Sequence, residues 1–210
     1  MLAIALLALA SYIIGSIPSG YLAGRIAGLD IRKTGSGNIG ATNVTRLLGK
    51  RYGYPVFLAD FSKGVGAVLL ARWASRHFHI LPESPDLPAV IAGVSCVMGN
   101  AFPFWLRFRG GKGVATSAGM LFGLMPLAAL VVIIIWIVTF LTTRYVSVAS
   151  ILAALALPLT VIAIMHFTGI GSRLILYVCS GLAGVVILRH RSNIARLMRG
   201  TEQRFRRSED

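Results

Sequence analysis

The sequence predicts an all-α membrane protein with seven transmembrane segments, one of them short. Hydrophobic residues make up 56% of the 210 residues, and the 21 Lys and Arg residues lie almost entirely between long uncharged runs. Four of these runs cover 1–24, 87–106, 113–143 and 145–172. Because about 20 apolar residues span the hydrocarbon core of a bilayer, each run can hold a membrane helix. A soluble core would interleave polar positions instead, so a soluble fold is disfavoured.

The longest run is divided in two because of its length. One straight helix over 113–143 would be about 46 Å long, well beyond a core of about 30 Å. Gly123 and Pro126 supply a break, because proline removes a backbone donor and glycine tolerates a reversal. The seven predicted segments are 1–22, 54–73, 87–106, the short 114–122, 126–143, 148–167 and 174–188.

The positions of the basic residues favour seven segments with the N-terminus outside. Seventeen basic residues then face the cytoplasm, and only Arg72, Arg76 and Arg173 lie in the outer loops. The seventeen lie in the loop 25–51, the segment 107–112, the turn at Arg144 and the tail from Arg189. Six segments would place the basic tail outside, against the positive-inside bias. The C-terminus is therefore expected in the cytoplasm.

Composition narrows the remaining possibilities. We expect one membrane domain over 1–210, with 198–210 as a basic cytoplasmic tail, and a monomer in contact with membrane lipid. The net charge of +14 fits an anionic inner leaflet, so nucleic acid is not expected as a partner. No His, Asp or Glu cluster has metal-ligand spacing, so neither a metal nor a cofactor is expected. Cys96 and Cys179 fall in spans and predict no disulfide.

The first polar cluster, TGSGNIGATNVTR at 34–46, predicts a phosphate-binding loop on the cytoplasmic side. Glycines and small polar residues let the backbone turn several N–H groups toward one point, a geometry that binds anions. A flexible interfacial turn is the alternative. The donors that follow the glycines favour the anion site. The candidate residues are Ser36, Gly37, Asn38, Thr42, Asn43 and Arg46.

The second cluster, GNAFPFWLRFRGGKGVAT at 99–116, predicts another anion site where the fourth segment begins. Free N–H groups and the dipole at a helix N-terminus favour negative charge. The cluster is not a Walker P-loop, because GGKG lacks the GxxxxGK[ST] spacing. A positive-inside anchor with an aromatic belt is the alternative, preferred for the aromatic residues but not for Lys112. The candidate residues are Arg109, Gly110, Gly111, Lys112 and Gly113.

The third cluster, RHRSNIARL at 189–197, follows the last segment. If that segment continues as one helix through the interface, His190 and Asn193 share a face. A histidine there can accept a proton or donate a hydrogen bond to an anion, although a single interfacial histidine is more often structural.

Asp60 and Lys63 form the one charged pair predicted inside a segment. Ionisable residues in spans often belong to proton relays. The alternative, preferred here, is a neutralising pair that braces the nearby loops, because Lys63 can also extend its ammonium toward the near surface.

Together, SGNIGATN, FPFWLRFRGGKGVAT and RHRSNIARL resemble the motifs of the bacterial acyl-phosphate-dependent glycerol-3-phosphate acyltransferases, membrane enzymes that make lysophosphatidate. The resemblance runs from the first segment to Leu197 with the motifs in order. It implies seven helices, an active site on the cytoplasmic side of the bacterial inner membrane, and a fatty acyl phosphate as donor. It further implies that Ser36 and Arg46 are required, that Lys112 and its glycines hold glycerol 3-phosphate, and that His190 and Asn193 complete the site.

One position departs from the family pattern. Asn100 stands where the family is expected to have histidine, so Asn100 receives no catalytic role. Ser36 is interpreted as a phosphate hydrogen-bond donor rather than a nucleophile, because no His or acid is tied to it by spacing.

A small anion or lipid transporter coupled through Asp60 and Lys63 is the alternative function, but the polar groups lie at one membrane interface rather than at the midplane. A non-catalytic scaffold would need neither glycine cluster.

Overall fold

The computed structural model describes residues 1–205, which form ten α-helices, a short 3-10 helix at Phe104–Leu106 and their connecting loops. The chain divides into two compact units, unit 1 over Met1–Leu124 and unit 2 from Met125 onward. The helices of unit 1 are α1 Leu2–Ser16, α2 Ser19–Ile26, α3 Ala41–Leu48, α4 Lys50–His77, α5 Asp86–Ala101 and α6 Val114–Leu124. Those of unit 2 are α7 Pro126–Thr143, α8 Val146–Thr168, α9 Arg173–Arg189 and α10 Arg191–Met198.

The all-α prediction is confirmed, and the helices are those of a multi-pass membrane protein. Within residues 1–205, five stretches are long and apolar enough to cross a bilayer, and the bent pair α9–α10 would make a sixth. The short predicted segment is α6, whose 11 residues extend about 16 Å, roughly half of a core about 30 Å thick. Seven spans and an outside N-terminus remain predictions.

The break predicted in the longest run is confirmed. Helix α6 ends at Leu124, Met125 has φ −147° and ψ 78°, and α7 begins at Pro126. Proline suits this first helical position, where no N–H donor is required. Helix α7 has the predicted bounds, whereas α4 and α8 are longer at both ends than the predicted segments.

The first predicted segment, 1–22, falls within a stretch long and apolar enough to cross a bilayer, Leu2–Ile26, whose helix is interrupted at Ile17 and Pro18. Helix α1 ends at Ser16, Ile17 is extended with ψ 116°, and α2 starts at Ser19. Pro18 causes the break, because its ring lacks an N–H and disfavours a helical residue before it. Beyond α2, the region 25–51 is not all loop, since it contains α3.

Glycines let the helices of unit 1 pack with their backbones in contact. Helix α5 packs against α1 and α4, and α4 packs against α6. A side chain on Gly15 would overlap the Cys96 carbonyl, and one on Gly119 would overlap the Phe61 carbonyl. Small residues at helix contacts are typical of membrane bundles, where close packing replaces the hydrophobic effect.

In unit 2, α8 packs against α7 and α9. After α10, the chain returns to the turn between α7 and α8. The Phe205 amide donates to the Arg144 carbonyl at 2.8 Å, and the Phe205 ring packs edge-on against Phe140. The Arg204 guanidinium donates to the Tyr145 hydroxyl at 3.0 Å. The start of the basic tail is therefore packed against its own unit.

The close contact between α4 and α6 predicts that alanine substitutions at two nearby glycines of α4 have different effects on stability. A Cβ on Gly64 would overlap the Thr116 carbonyl, whereas nothing lies within 4 Å of a Cβ on Gly66. Gly64→Ala is expected to lower the free energy of unfolding by about 1–3 kcal/mol through overpacking. Gly66→Ala is the matched control and should be neutral or stabilising, since alanine favours helix. Thermal unfolding in detergent measures both, and equal melting temperatures would contradict the proposed contact.

Candidate active site

The first glycine loop is organised by the side chain of Asn43. Its Oδ1 accepts a hydrogen bond from the Ser36 amide at 2.9 Å. Its Nδ2 donates to the carbonyls of Ile31 at 3.1 Å, Thr34 at 3.3 Å and Asn38 at 2.9 Å. Only 1% of Asn43 is exposed. Because these bonds use both ends of the amide, Asn43 holds the loop in one shape.

Apolar packing fixes the base of the same loop. Ile31, Ile39 and Val44 are buried in one cluster with Val56 of α4 and with Leu106, which lies within the second motif. Burying aliphatic side chains is worth about 1.5–3 kcal/mol each, so the cluster anchors α3 and the loop to α4. Both glycine motifs of unit 1 are therefore attached to the same apolar support.

Two glycines of the loop have backbone angles that other residues adopt poorly. Gly35 has φ +60° and Gly37 has φ +68°. A Cβ on Gly35 would also overlap Asn43 Oδ1, the atom that binds the Ser36 amide. Ser36 lies between them and is exposed. The glycines therefore present the Ser36 hydroxyl at the tip of an ordered turn.

The predicted donors of the first motif divide into two groups. Asn38 joins Asn43 in holding the loop, because Asn38 Oδ1 accepts from the Gly40 amide at 2.9 Å. Thr42 and Arg46 lie on α3, and each is partly buried. Substrate binding by these residues stays a prediction, and the geometry gives Asn38 and Asn43 the additional work of shaping the loop.

The second glycine loop folds back on the end of α5. The amide of Gly110 donates to the Ala101 carbonyl at 3.2 Å, and that of Gly111 donates to the Asn100 carbonyl at 3.1 Å. A Cβ on Gly110 would overlap the Asn100 carbonyl and the Pro103 ring. The motif was expected to turn its backbone N–H groups toward an anion. These two N–H groups instead form hydrogen bonds with backbone carbonyls at the end of α5.

The remaining donors of this loop lie at the start of α6. Gly113 has φ +74° and precedes the first residue of the helix, Val114. The first N–H groups of a helix have no partner within the helix, and its dipole attracts negative charge. Lys112 is partly buried next to this helix start. The arrangement can hold one phosphate between a cation and backbone amides.

Two hydroxyls in the first turns of α6 reinforce the polar character of this region. Thr116 Oγ1 and Ser117 Oγ are both shielded from solvent, and neither has a hydrogen-bond partner within the described part of the chain. Thr116 ends the second cluster, but neither it nor Ser117 is among the candidate site residues predicted from the sequence, because a threonine and a serine in an apolar helix look like ordinary helix residues.

Asp60 and Lys63 are paired as predicted, and their contacts favour the brace. Lys63 Nζ donates to Asp60 Oδ1 at 2.8 Å, to the Ile17 carbonyl at 2.6 Å and to the Ser19 hydroxyl. The side chains are only 9% and 10% exposed. Ile17 and Ser19 flank the Pro18 break, so the ammonium binds the backbone carbonyl at the point where α1 ends.

In unit 2, the last apolar helix does not continue straight through the third motif, so the condition under which His190 and Asn193 would share one helical face is not met. Helices α9 and α10 meet at His190 with a bend of 53°. His190 Nδ1 lies 2.7 Å from the Val186 carbonyl, and since a carbonyl only accepts, this nitrogen carries the proton. His190 and Asn193 are 2% and 6% exposed. The bend, rather than one helical face, sets the direction of each side chain.

A carboxylate that the sequence analysis overlooked fixes Asn193. Glu202 Oε1 accepts from Asn193 Nδ2 at 2.6 Å and from the Ser147 hydroxyl at 2.8 Å, while Oε2 accepts from Arg196 Nε at 2.7 Å. Burial raises the pKa of Glu202, but the hydrogen bonds from Asn193, Arg196 and Ser147 outweigh it and lower the pKa overall. The available signal was that Glu202 is the first acidic residue after Asp86, within a basic segment.

The predicted site residues therefore lie in the two glycine loops and in the third motif. Unit 1 holds both glycine loops, with Ser36, Arg46 and Lys112, and unit 2 holds His190 and Asn193. Within unit 1 the two loops share the apolar cluster and carry several backbone and side-chain donors for anions. Chemically, such loops suit two phosphate-bearing molecules.

Comparison with known proteins gives one consistent result. The model of the glycerol-3-phosphate acyltransferase family matches residues 5–200. A glycerol-3-phosphate acyltransferase of Geotalea daltonii is 42% identical over 96% of this chain and 97% of its own length.

Two solved structures resemble the whole fold. Both are of PlsY (YgiH), an integral membrane glycerol 3-phosphate acyltransferase, one in its glycerol 3-phosphate form and one in its lysophosphatidic acid form. They are 38% and 37% identical to this chain, with TM-scores of 0.85 and 0.82. Each match covers 97% of this chain and 96% of the solved chain.

The brace predicts how the buried ion pair responds to substitution. Lys63→Met leaves the Asp60 carboxylate buried without its cation and should cost about 3–5 kcal/mol of unfolding free energy. The double variant Asp60→Asn with Lys63→Met removes both charges and should unfold at a higher temperature than Lys63→Met alone. Thermal unfolding in detergent measures the difference. A Lys63→Met protein as stable as the wild type would rule out a bracing role.

Proposed function

The chain belongs to the glycerol-3-phosphate acyltransferase family, and we propose on this basis that it transfers a fatty acyl group from an acyl phosphate to the 1-hydroxyl of glycerol 3-phosphate. The product would be lysophosphatidate. The observation that carries the proposal is the family match over 5–200, which includes all three polar clusters. The transporter alternative receives no support from any of these relatives.

Two phosphate-bearing substrates require two anion subsites, and unit 1 supplies two ordered glycine loops. In this proposal the start of α6 and Lys112 hold the phosphate of glycerol 3-phosphate. The loop ordered by Asn43 presents Ser36 and Arg46 to the phosphate of the donor. Catalytic roles for His190 and Asn193 rest on the resemblance of the third motif.

The proposed reaction needs no covalent enzyme intermediate. The 1-hydroxyl oxygen attacks the acyl carbonyl carbon, the bond from that carbon to the donor's phosphate oxygen breaks, and the hydroxyl proton leaves with inorganic phosphate. Phosphate is a good leaving group, so holding the reactants and stabilising the developing negative charge supply the rate increase. In support, no His or carboxylate within unit 1 hydrogen-bonds the Ser36 hydroxyl, as a serine nucleophile would need.

The proposed location is the bacterial inner membrane, with the active site facing the cytoplasm. The charge bias of the sequence supports this orientation, because both glycine loops and the third motif fall among the basic segments. A monomer is proposed as the working unit.

The choice of donor is tested with purified protein in detergent. We expect lysophosphatidate to form from hexadecanoyl phosphate and glycerol 3-phosphate, and not from hexadecanoyl-CoA. The matched control is the Ser36→Ala protein, whose turnover should fall while its melting temperature stays near that of the wild type. Equal use of both donors would contradict the acyl-phosphate assignment.

Lys112 provides a second test, directed at the acceptor. Lys112→Ala should raise the KM for glycerol 3-phosphate about ten- to a hundred-fold and change the KM for acyl phosphate much less. Losing a charge-assisted hydrogen bond to a partly desolvated anion costs about 1.5–3 kcal/mol, which gives this range. Arg107→Ala, in the same loop but outside the glycine run, is the matched control. Unchanged KM values for both substrates would make Lys112 a topology anchor only.

A further inference from the structure

We infer that Tyr12 is a positioning residue for the second glycine loop, because its hydroxyl attaches the base of that loop to α1. The inference rests on the proposed function, in which this loop and Lys112 hold the phosphate of glycerol 3-phosphate. Tyr12 Oη donates to the Phe102 carbonyl at 2.7 Å, and 90 positions of the sequence separate the two residues. Phe102 is the first residue after α5, where the path toward the glycine loop begins.

Three successive carbonyls at the end of α5 accept hydrogen bonds from outside the helix. The last carbonyls of a helix have no donor within it, and in a membrane protein such groups need partners. The carbonyls of Asn100 and Ala101 accept from the amides of the loop's glycine pair, at 3.1 and 3.2 Å. The Phe102 carbonyl accepts from Tyr12. The first two bonds close the loop onto α5, and the Tyr12 bond attaches the same point to α1.

Close packing of the backbones makes α1 a firm support for this hydrogen bond. A Cβ on Gly15 of α1 would overlap the Cys96 carbonyl of α5. A Cβ on Gly99 of α5 would overlap the carbonyl of Tyr12 itself. These glycines lie about one helical turn from the donor and from the acceptor of the bond. Because tightly packed helices transmit displacements rather than absorb them, the Tyr12 hydroxyl holds its acceptor in a defined place.

The position of the Phe102 carbonyl bears on the proposed phosphate site through the loop. Gly110 and Gly111 are bonded to the two carbonyls that precede Phe102, and Lys112 follows them directly. A shift at the end of α5 therefore moves the glycine pair and Lys112 together. Groups that converge on one ligand must be held to within about 0.5 Å, so a small shift of this kind weakens binding.

Helix α1 also leads to the first glycine loop, so Tyr12 relates the positions of both loops. Lys63 binds the Ile17 carbonyl at the end of α1. A Cβ on Gly20 of α2 would overlap the Ile39 carbonyl within the first loop. The Tyr12 bond thus attaches the second loop to the helices that carry the first. Transfer between two bound molecules requires their subsites at a fixed separation, which such a bond helps to maintain.

The first experiment removes only the hydroxyl, because Tyr12→Phe keeps the ring and its stacking on Phe104. Tyr12→Phe should lower kcat/KM for glycerol 3-phosphate about three- to ten-fold, the factor that one neutral hydrogen bond is worth, with a melting temperature near that of the wild type. Tyr54→Phe is the matched control, since Tyr54 lies on α4 and is 63% exposed, and both values should stay unchanged. A Tyr12→Phe enzyme with the wild-type kcat/KM, or one that fails to fold, would overturn the inference.

A double-mutant cycle with Lys112→Ala separates positioning from a general loss of packing. If Tyr12 acts through the second loop, its hydroxyl matters less once the loop has lost its cation. In the Lys112→Ala protein, Tyr12→Phe should therefore lower kcat/KM for glycerol 3-phosphate by less than about two-fold. An effect as large as in the wild-type background would show that Tyr12 and Lys112 act independently, against the inference.

Hydrogen exchange of the ligand-free protein in detergent gives a readout that does not depend on activity. Tyr12→Phe should speed exchange of the peptide that contains Gly110 and Gly111 at least about three-fold, and Tyr54→Phe should not. Equal exchange in the wild type and in Tyr12→Phe would overturn the inference. Failure of the proposed function appears separately, as a wild-type protein that makes no lysophosphatidate although its exchange responds to Tyr12→Phe as expected.

Discussion

A backbone carbonyl freed at a helix break needs a donor, and in unit 1 the Ile17 carbonyl accepts from the Lys63 ammonium and from the Ser19 amide. An unsatisfied peptide group within a bilayer costs several kcal/mol, so a proline break in a membrane helix requires this kind of compensation. The direction of α2 and the path of the loop after it both depend on the break. Asp60 makes the arrangement possible by neutralising the cation that serves it.

The first loop shows how little sequence is needed to order a polar segment. One asparagine side chain binds backbone groups of Ile31, Thr34, Ser36 and Asn38, and two glycines at positive φ allow the turn that these bonds need. A loop held in this way loses little further conformational freedom when a ligand binds, which favours affinity. Its polar groups remain at the surface because the apolar cluster lies beneath them.

The sequence predicted the features that follow from hydropathy and missed those that depend on the path of the chain. Long uncharged runs located the apolar helices, and Gly123 with Pro126 located one break. Pro18 escaped notice because the surrounding run is uniformly apolar, and the bend at His190 carries neither proline nor glycine to signal it. The work of Asn43 could not be read from spacing, because its partners become neighbours only once the loop is folded. Glu202 was hidden by the basic residues around it.

The attachment of Glu202 has a consequence for the synthesis of the chain. Its carboxylate binds Ser147 at the start of α8 and Asn193 in α10, and it is made after both of these helices. Before residue 202 has left the ribosome, the apolar helices can already insert, but the Glu202 carboxylate that accepts from the Asn193 amide has not yet emerged. The contacts of Glu202 with the third motif therefore form only after residue 202 has been made, and a protein released earlier lacks them.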